Sequence, residues 1–146
     1  MEKKVLFLCT GNASRSQMAA GLVNHDFAGR IEAWSAGTDP KGVSLLAIRV
    51  LAELNIDISQ ATSDHLSKYE GESFDYVITL CDDANEKCPV FFGGVKRLHM
   101  GFPDPPHSNV PSEDNMQVYR EVRDAIRSRL HEFFTNELQE QERGSY

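Results

Sequence analysis

The side chains best able to do chemistry stand close together near the amino terminus, in Val5-Leu-Phe-Leu-Cys9-Thr-Gly-Asn-Ala-Ser-Arg15-Ser16. An apolar run ends on a cysteine, small or polar residues follow, and an arginine and a serine open a helical pattern. Such a segment can wrap the backbone N–H groups of Thr10, Gly11, Asn12, Ala13 and Ser14 around a tetrahedral oxyanion, with a sulfur nucleophile beneath it. Two influences favour the thiolate form of Cys9: the positive end of the helix dipole and the charge of Arg15. A guanidinium also grips two oxygens of an oxyanion in one fork, which an ammonium cannot do. Gly11 and Asn12 stand where the loop must tolerate positive φ. The competing reading is a buried strand-end cysteine before an ordinary turn. The context of strand, loop and helix favours the oxyanion site.

Those residues need a scaffold. A chain of 146 residues, 40% hydrophobic and 25% charged, has the size and composition of one globular domain. Its net charge of −7 argues against nucleic-acid binding, and no apolar run is long enough to span a membrane. The amino terminus carries no signal-peptide pattern, so a cytoplasmic location is expected, and nothing in the sequence suggests more than a monomer. Three cysteines, Cys9, Cys81 and Cys88, do not suggest a structural disulfide framework.

Residues 4–8 read as a central parallel strand, Ser14 to Phe27 as a helix, and Ile31 to Ser35 as a second strand. The segment Val43–Leu54 is helical in period, and Thr62 to Leu66 reads as a helix start capped by a hydroxyl or carboxylate. Phe74 to Leu80 and Val95 to Leu98 read as the third and fourth strands, and Gly101–Pro111 as a loop. A last helix is expected from Glu113 to Glu137. Its core face would carry Val118, Val122, Ala125, Ile126, Leu130, Phe133 and Phe134, and its polar face Arg120, Arg123, Arg127 and Glu132. This predicts an α/β fold: a single catalytic domain over 1–138, with a four-stranded parallel sheet and helices on both faces. A polar tail, 139–146, would follow. Ligands of such folds bind at the carboxyl ends of the strands, which places Cys9 and Cys81 on one edge of the sheet.

Cys9, Arg15 and Ser16 after a first strand, with Asp104-Pro105 late in the chain, resemble the low-molecular-weight protein tyrosine phosphatases. Within that fold the chain is more similar to the thioredoxin-coupled arsenate reductases. Leu8-Cys-Thr-Gly-Asn, Arg15-Ser-Gln-Met-Ala, Ser35-Ala-Gly37, Ile56-Asp-Ile58-Ser59, Thr79-Leu-Cys-Asp-Asp83, Lys87-Cys-Pro89 and His99-Met-Gly-Phe-Pro-Asp-Pro105 carry the likeness. They span nearly the whole chain. Many such reductases have a further cysteine immediately before the loop arginine. Ser14 stands there in this chain, and that cysteine is not one of the three redox participants.

The resemblance implies that Cys9 attacks arsenate held by Arg15 and the loop amides, with Ser16 favouring the thiolate. Asp104 would protonate the departing oxygen, aimed by the stiff Phe102-Pro103-Asp104-Pro105-Pro106 loop. Asp before Pro is also a common turn starter. Cys81 would attack Cys9 and Cys88 would attack the resulting disulfide, leaving Cys81–Cys88 for external thioredoxin. Seven helical steps between those two cysteines would separate their Cα atoms by about 10 Å, beyond the ~7 Å a disulfide tolerates. The polar segment Asp82 to Lys87 must therefore loop back on oxidation. Some relatives bind potassium through an acidic residue where this chain has Ala20. No metal or bound cofactor is expected, although Asn12, Ser35 and Asp64 remain. Zinc on Cys81, Cys88 and His99 lacks the short paired spacing of structural sites.

Two other functions compete. Phosphotyrosine hydrolysis on this scaffold commonly uses aromatic residues after the acid, where this chain has Pro105-Pro106-His107. Mere oxyanion binding would not need a sulfur nucleophile. His25, His65, His107 and His131 read as solvated, and Trp34 as core.

Overall fold

The apolar run after the amino terminus forms β1 (Lys3–Cys9), and its last five residues are buried on both faces. In the computed structural model, which describes residues 2–82 and 94–143, β1 lies inside a four-stranded sheet. Its partners are β2 (Ile31–Gly37) and β3 (Phe74–Thr79), and β4 (Gly94–His99) pairs with β3 at the edge. All pairings are parallel, in the order β2-β1-β3-β4. A central strand covered on both faces has no polar alternation to keep, hence the unbroken apolar run.

Alternation along the strands divides the core. Val5, Phe7, Tyr76 and Ile78 join the buried residues of α1 (Arg15–Asp26), α2 (Leu45–Ala52) and α3 (Glu113–Arg143) in one cluster. Leu6, Leu8, Ala36 and Val77 face the other way, onto Tyr69 and Leu66 of a 3-10 helix (Leu66–Tyr69), with Trp34 packed beside them. The path β1 to β2 and the path β2 to β3 run in opposite directions across the sheet. Right-handed crossovers therefore require opposite faces, and the 3-10 helix lies on the second of these. The direction reverses at the β1/β3 junction, and their carboxyl ends frame a ligand crevice.

Several expectations need correction. The start read at Thr62 to Leu66 is instead the 3-10 helix from Leu66, and its cap is an imidazole: His65 Nδ1 accepts from the Ser67 amide at 3.1 Å. α2 is shorter than Val43–Leu54, because Ser44 caps it by accepting from the Ala47 amide. α3 runs to Arg143, past the expected end at Glu137, and buries Leu138. The segment 139–143 is thus helical instead of a tail.

The core stripe of α3 is also different from the one expected. Val118 and Ala125 are exposed, whereas Met116, Tyr119, Val122, Ile126, Leu130, Phe134 and Leu138 are buried. Arg123 is buried as well: it donates to the Val50 carbonyl and to Glu53 on α2, each within 2.9 Å. Its buried charge is paired and hydrogen-bonded, as it must be. The neighbouring Arg120 binds Glu53 and Glu113, and its hydrogen bond holds the Glu53 carboxyl below the usual range. Two turns further along α3, Arg127 forks onto Asp26. Burial raises the Asp26 carboxyl, but bonds from Arg127 and His25 outweigh it, so the group lies below the usual range.

Candidate active site

The loop between β1 and α1 is shaped by what its carbonyls do. Thr10 O accepts from the Asp39 amide, Gly11 O from the Lys41 amide, Ala13 O from the Ser44 amide and Ser14 O from the Met18 amide. Asn12 O accepts from Gln17 Nε2 and from Ser63 Oγ, each at 3.0 Å. Every carbonyl from Thr10 to Ser14 is drawn outward by a donor in the surrounding fold. In a planar trans peptide the N–H points opposite its C=O, so the loop turns its amide edge inward. That is the backbone shape an oxyanion cradle of the expected kind requires. Asn12 takes positive φ (45°), as expected, whereas Gly11 does not.

Cys9 closes the floor, 2% exposed, with its Sγ 3.0 Å from Ser16 Oγ. Ser16 Oγ also lies 2.7 Å from Asn12 Oδ1, to which it donates. The Asn12 amide nitrogen faces the carbonyls of Ser35 and Asp64, both at 3.4 Å, so its oxygen must face Ser16. Arg15 is 3% exposed. It donates from Nη1 to the carbonyls of Leu80 (3.5 Å) and Phe102 (3.2 Å), and its Nη2 stands 3.4 Å from Asp104 Oδ1. One guanidinium thus ties the loop to the end of β3 and to the segment carrying Asp104.

A cavity of about 410 Å³ opens above these groups. Cys9, Thr10, Gly11, Ala13, Ser14, Arg15 and Asp104 line it together with Lys41, Val43, His107, Asn109 and Tyr119. Cys9, the loop amides, Arg15, Ser16 and Asp104 are therefore brought together, as the sequence predicted. Cys81 is a fully buried cysteine two residues beyond β3. Leu8 pairs with Thr79, so Cys9 and Cys81 leave neighbouring strands at the same edge. Cys88 lies outside the described residues, as do residues 83–87 of the segment expected to loop back.

Three residues escaped sequence reasoning. His107 is exposed, as expected, but its Nε2 stands 2.7 Å from Asp104 Oδ2. Only its place three residues after the acid could have hinted at this. Tyr119 reaches the loop from α3, and the signal was its i+3 spacing from Met116. Gln17 lies in the quoted Arg15-Ser-Gln-Met-Ala motif but was given no task. The other histidines have partners too: His25 bonds Asp26, His65 caps the 3-10 helix and His131 packs on Phe27.

Gly37, at the end of β2, makes the loop possible by having no side chain. A Cβ there would sit 2.4 Å from Thr10 O, 2.8 Å from Cys9 O and 3.0 Å from Asn12 N. All three atoms are backbone, so no rotamer change relieves the clash. Gly37→Ala is expected to lower stability by about 2–3 kcal/mol and to abolish phosphate protection of Cys9 against alkylation. Gly29→Ala, where φ is 81° and space is open, should cost only about 1 kcal/mol and leave that protection intact. Urea unfolding and alkylation rates measure both; equal behaviour of the two variants would refute the argument.

Known proteins with this arrangement decide the lineage. The profile of the low molecular weight phosphotyrosine protein phosphatase family matches residues 4–144. The chain belongs to this family. Among its relatives, an arsenate reductase from Shouchella clausii is 42% identical over 134 residues, covering 91% of this chain and 96% of that protein. A solved arsenate reductase in the phosphate binding state superimposes with a TM-score of 0.71 at 29% identity, covering 92% of this chain and 98% of the other. A thioredoxin-dependent arsenate reductase from Corynebacterium glutamicum gives 0.69 at 29% identity, covering 92% of this chain and 61% of that one. The resemblance read from the sequence, in fold and in relatives, is borne out.

Proposed function

We propose that this phosphatase-family protein reduces arsenate to arsenite, with reduced thioredoxin as its electron donor. The observation that carries the reading is a pair of buried cysteines at one sheet edge, one of them under the loop expected to cradle an oxyanion. A hydrolase needs only Cys9. The second thiol has work to do when the covalent adduct must be reduced. The names of the relatives support the same choice.

Arsenate enters with its oxygens against the loop amides from Thr10 to Ser16 and the Arg15 fork, displacing the Arg15–Asp104 contact. The Cys9 thiolate attacks arsenic. Ser16 has one proton, held by Asn12 at rest, and turning it toward sulfur stabilises the anion. Asp104 protonates the departing oxygen as water leaves. Cys81 thiolate then attacks Cys9 sulfur, forming the S–S bond and breaking the S–As bond. The bonding pair leaves with arsenic, which departs as arsenite. Cys88 attacks Cys81, restoring Cys9 thiolate, and thioredoxin dithiol reduces the Cys81–Cys88 bridge.

The reading calls for no metal. Where some relatives use an acidic residue this chain has Ala20, and the Asp64 carboxylate is taken by Thr62 Oγ1 and Lys68 Nζ. No described helix is long and apolar enough to cross a membrane. The enzyme would work as a cytoplasmic monomer.

The test follows NADPH oxidation with thioredoxin, thioredoxin reductase and arsenate present, with arsenite measured directly. One NADPH consumed per arsenite formed is the expected result. Fast hydrolysis of an aryl phosphate without arsenite formation would favour the phosphatase instead.

A further inference from the structure

Tyr119 is fully buried on α3, yet its hydroxyl touches three separate pieces of the site. It lies 2.8 Å from the Pro106 carbonyl, 3.0 Å from Ser14 Oγ and 3.0 Å from Ser44 Oγ. A carbonyl can only accept, so the single phenolic proton goes to Pro106. Both serines must then donate to the phenol oxygen. The directions of all three bonds follow from that one count of protons.

We propose that Tyr119 is a positioning residue that sets the oxyanion loop and the acid loop at their working separation. The inference rests on the reading of Asp104 as the acid. Two consequences of the hydrogen bonds carry it. On one side, Pro106 is joined to Asp104 through Pro105, and two successive proline rings fix φ along that stretch. Holding the Pro106 carbonyl therefore holds the backbone that aims the carboxyl. On the other side, Ser14 is the N-cap residue of α1 but makes no side-chain capping bond. An N-cap serine ordinarily accepts from the N–H two or three residues on, here Ser16 or Gln17. Turned toward Tyr119, the Ser14 hydroxyl makes no bond to the first turn of α1, whose amide edge stays available to an anion.

Tyr119→Phe keeps the ring and the packing but removes the hub. Ser14 would be free to turn back and cap α1, competing with the ligand, and the Pro106 strap would lose its anchor. Both loops should suffer together. The experiment compares the parent, Tyr119→Phe and Asp104→Asn in the full-length chain, with active sites counted by titration of Cys9. Inorganic phosphate affinity is read from protection of Cys9 against alkylation. The kcat and KM for arsenate are measured across pH, and Tm is recorded. Tyr119→Phe is expected to weaken phosphate binding and to lower kcat, each about ten-fold, whereas Asp104→Asn lowers kcat without weakening phosphate binding. A lowered Tm with parental phosphate affinity and kcat per active site would make Tyr119 a packing residue only and overturn the proposal. Parental kcat in Asp104→Asn would overturn the acid assignment instead. The phosphate affinity of Tyr119→Phe then still judges the tyrosine.

Discussion

Cys88→Ser should release about one arsenite per enzyme and then stop, because the first disulfide has no internal thiol left to open it. On the proposed relay, arsenate reduction removes two electrons from the protein, and Cys9 and Cys81 would supply them. Both thiols are buried, Cys81 completely, so the Cys9–Cys81 bridge would form where an external dithiol has poor access. Cys88 would carry the oxidising equivalents outward. The variant should accumulate a Cys9–Cys81 disulfide, detectable by mass spectrometry of the alkylated, digested protein, and NADPH oxidation should fall to background. Sustained turnover at the parental rate would remove Cys88 from the relay and leave thioredoxin acting on the inner bridge.

Arg15→Lys should cost about a thousand-fold in kcat/KM for arsenate, the size expected when a buried transition-state clamp of about 4 kcal/mol is lost. The substitution keeps the charge, so an effect this large must come from geometry. Arg15 bonds the carbonyls of Leu80 and Phe102 and approaches Asp104 from one planar group. An ammonium cannot span these partners and also present a fork to an oxyanion. It would leave the buried Phe102 carbonyl short of its Arg15 donor, and stability should drop by about 1–2 kcal/mol. Steady-state kinetics and urea unfolding check the two parts. A loss of less than about ten-fold would mean that charge alone suffices and that the fork is dispensable.

Much of the site was legible because its residues are neighbours in sequence. Cys9 to Ser16 is one short loop, and a strand before it with a helix after it leaves few ways to place a cysteine under an arginine. The parallel sheet was equally open to reading, since strands buried on both faces must be unbroken apolar runs. The last helix was harder. The expected stripe shares Val122, Ile126, Leu130 and Phe134 with the true one, but its first turns run through Val118 and Ala125 instead of Tyr119 and Arg123, and both look amphipathic. That difference exposes Val118 and Ala125, buries Arg123, and brings a tyrosine hydroxyl to the oxyanion loop.

The sequence by itself determined that Cys9 and Arg15 share one loop at the end of a buried strand, because local spacing and apolar periodicity are properties of a short stretch of chain. Only the tertiary structure decided the rest: which outside donors turn the loop carbonyls away, why Gly37 must lack a side chain, and that His107 and Tyr119 touch the acid loop. Those facts depend on segments as many as 105 positions apart coming within hydrogen-bond distance. Packing of the whole core, not any local pattern, sets such distances.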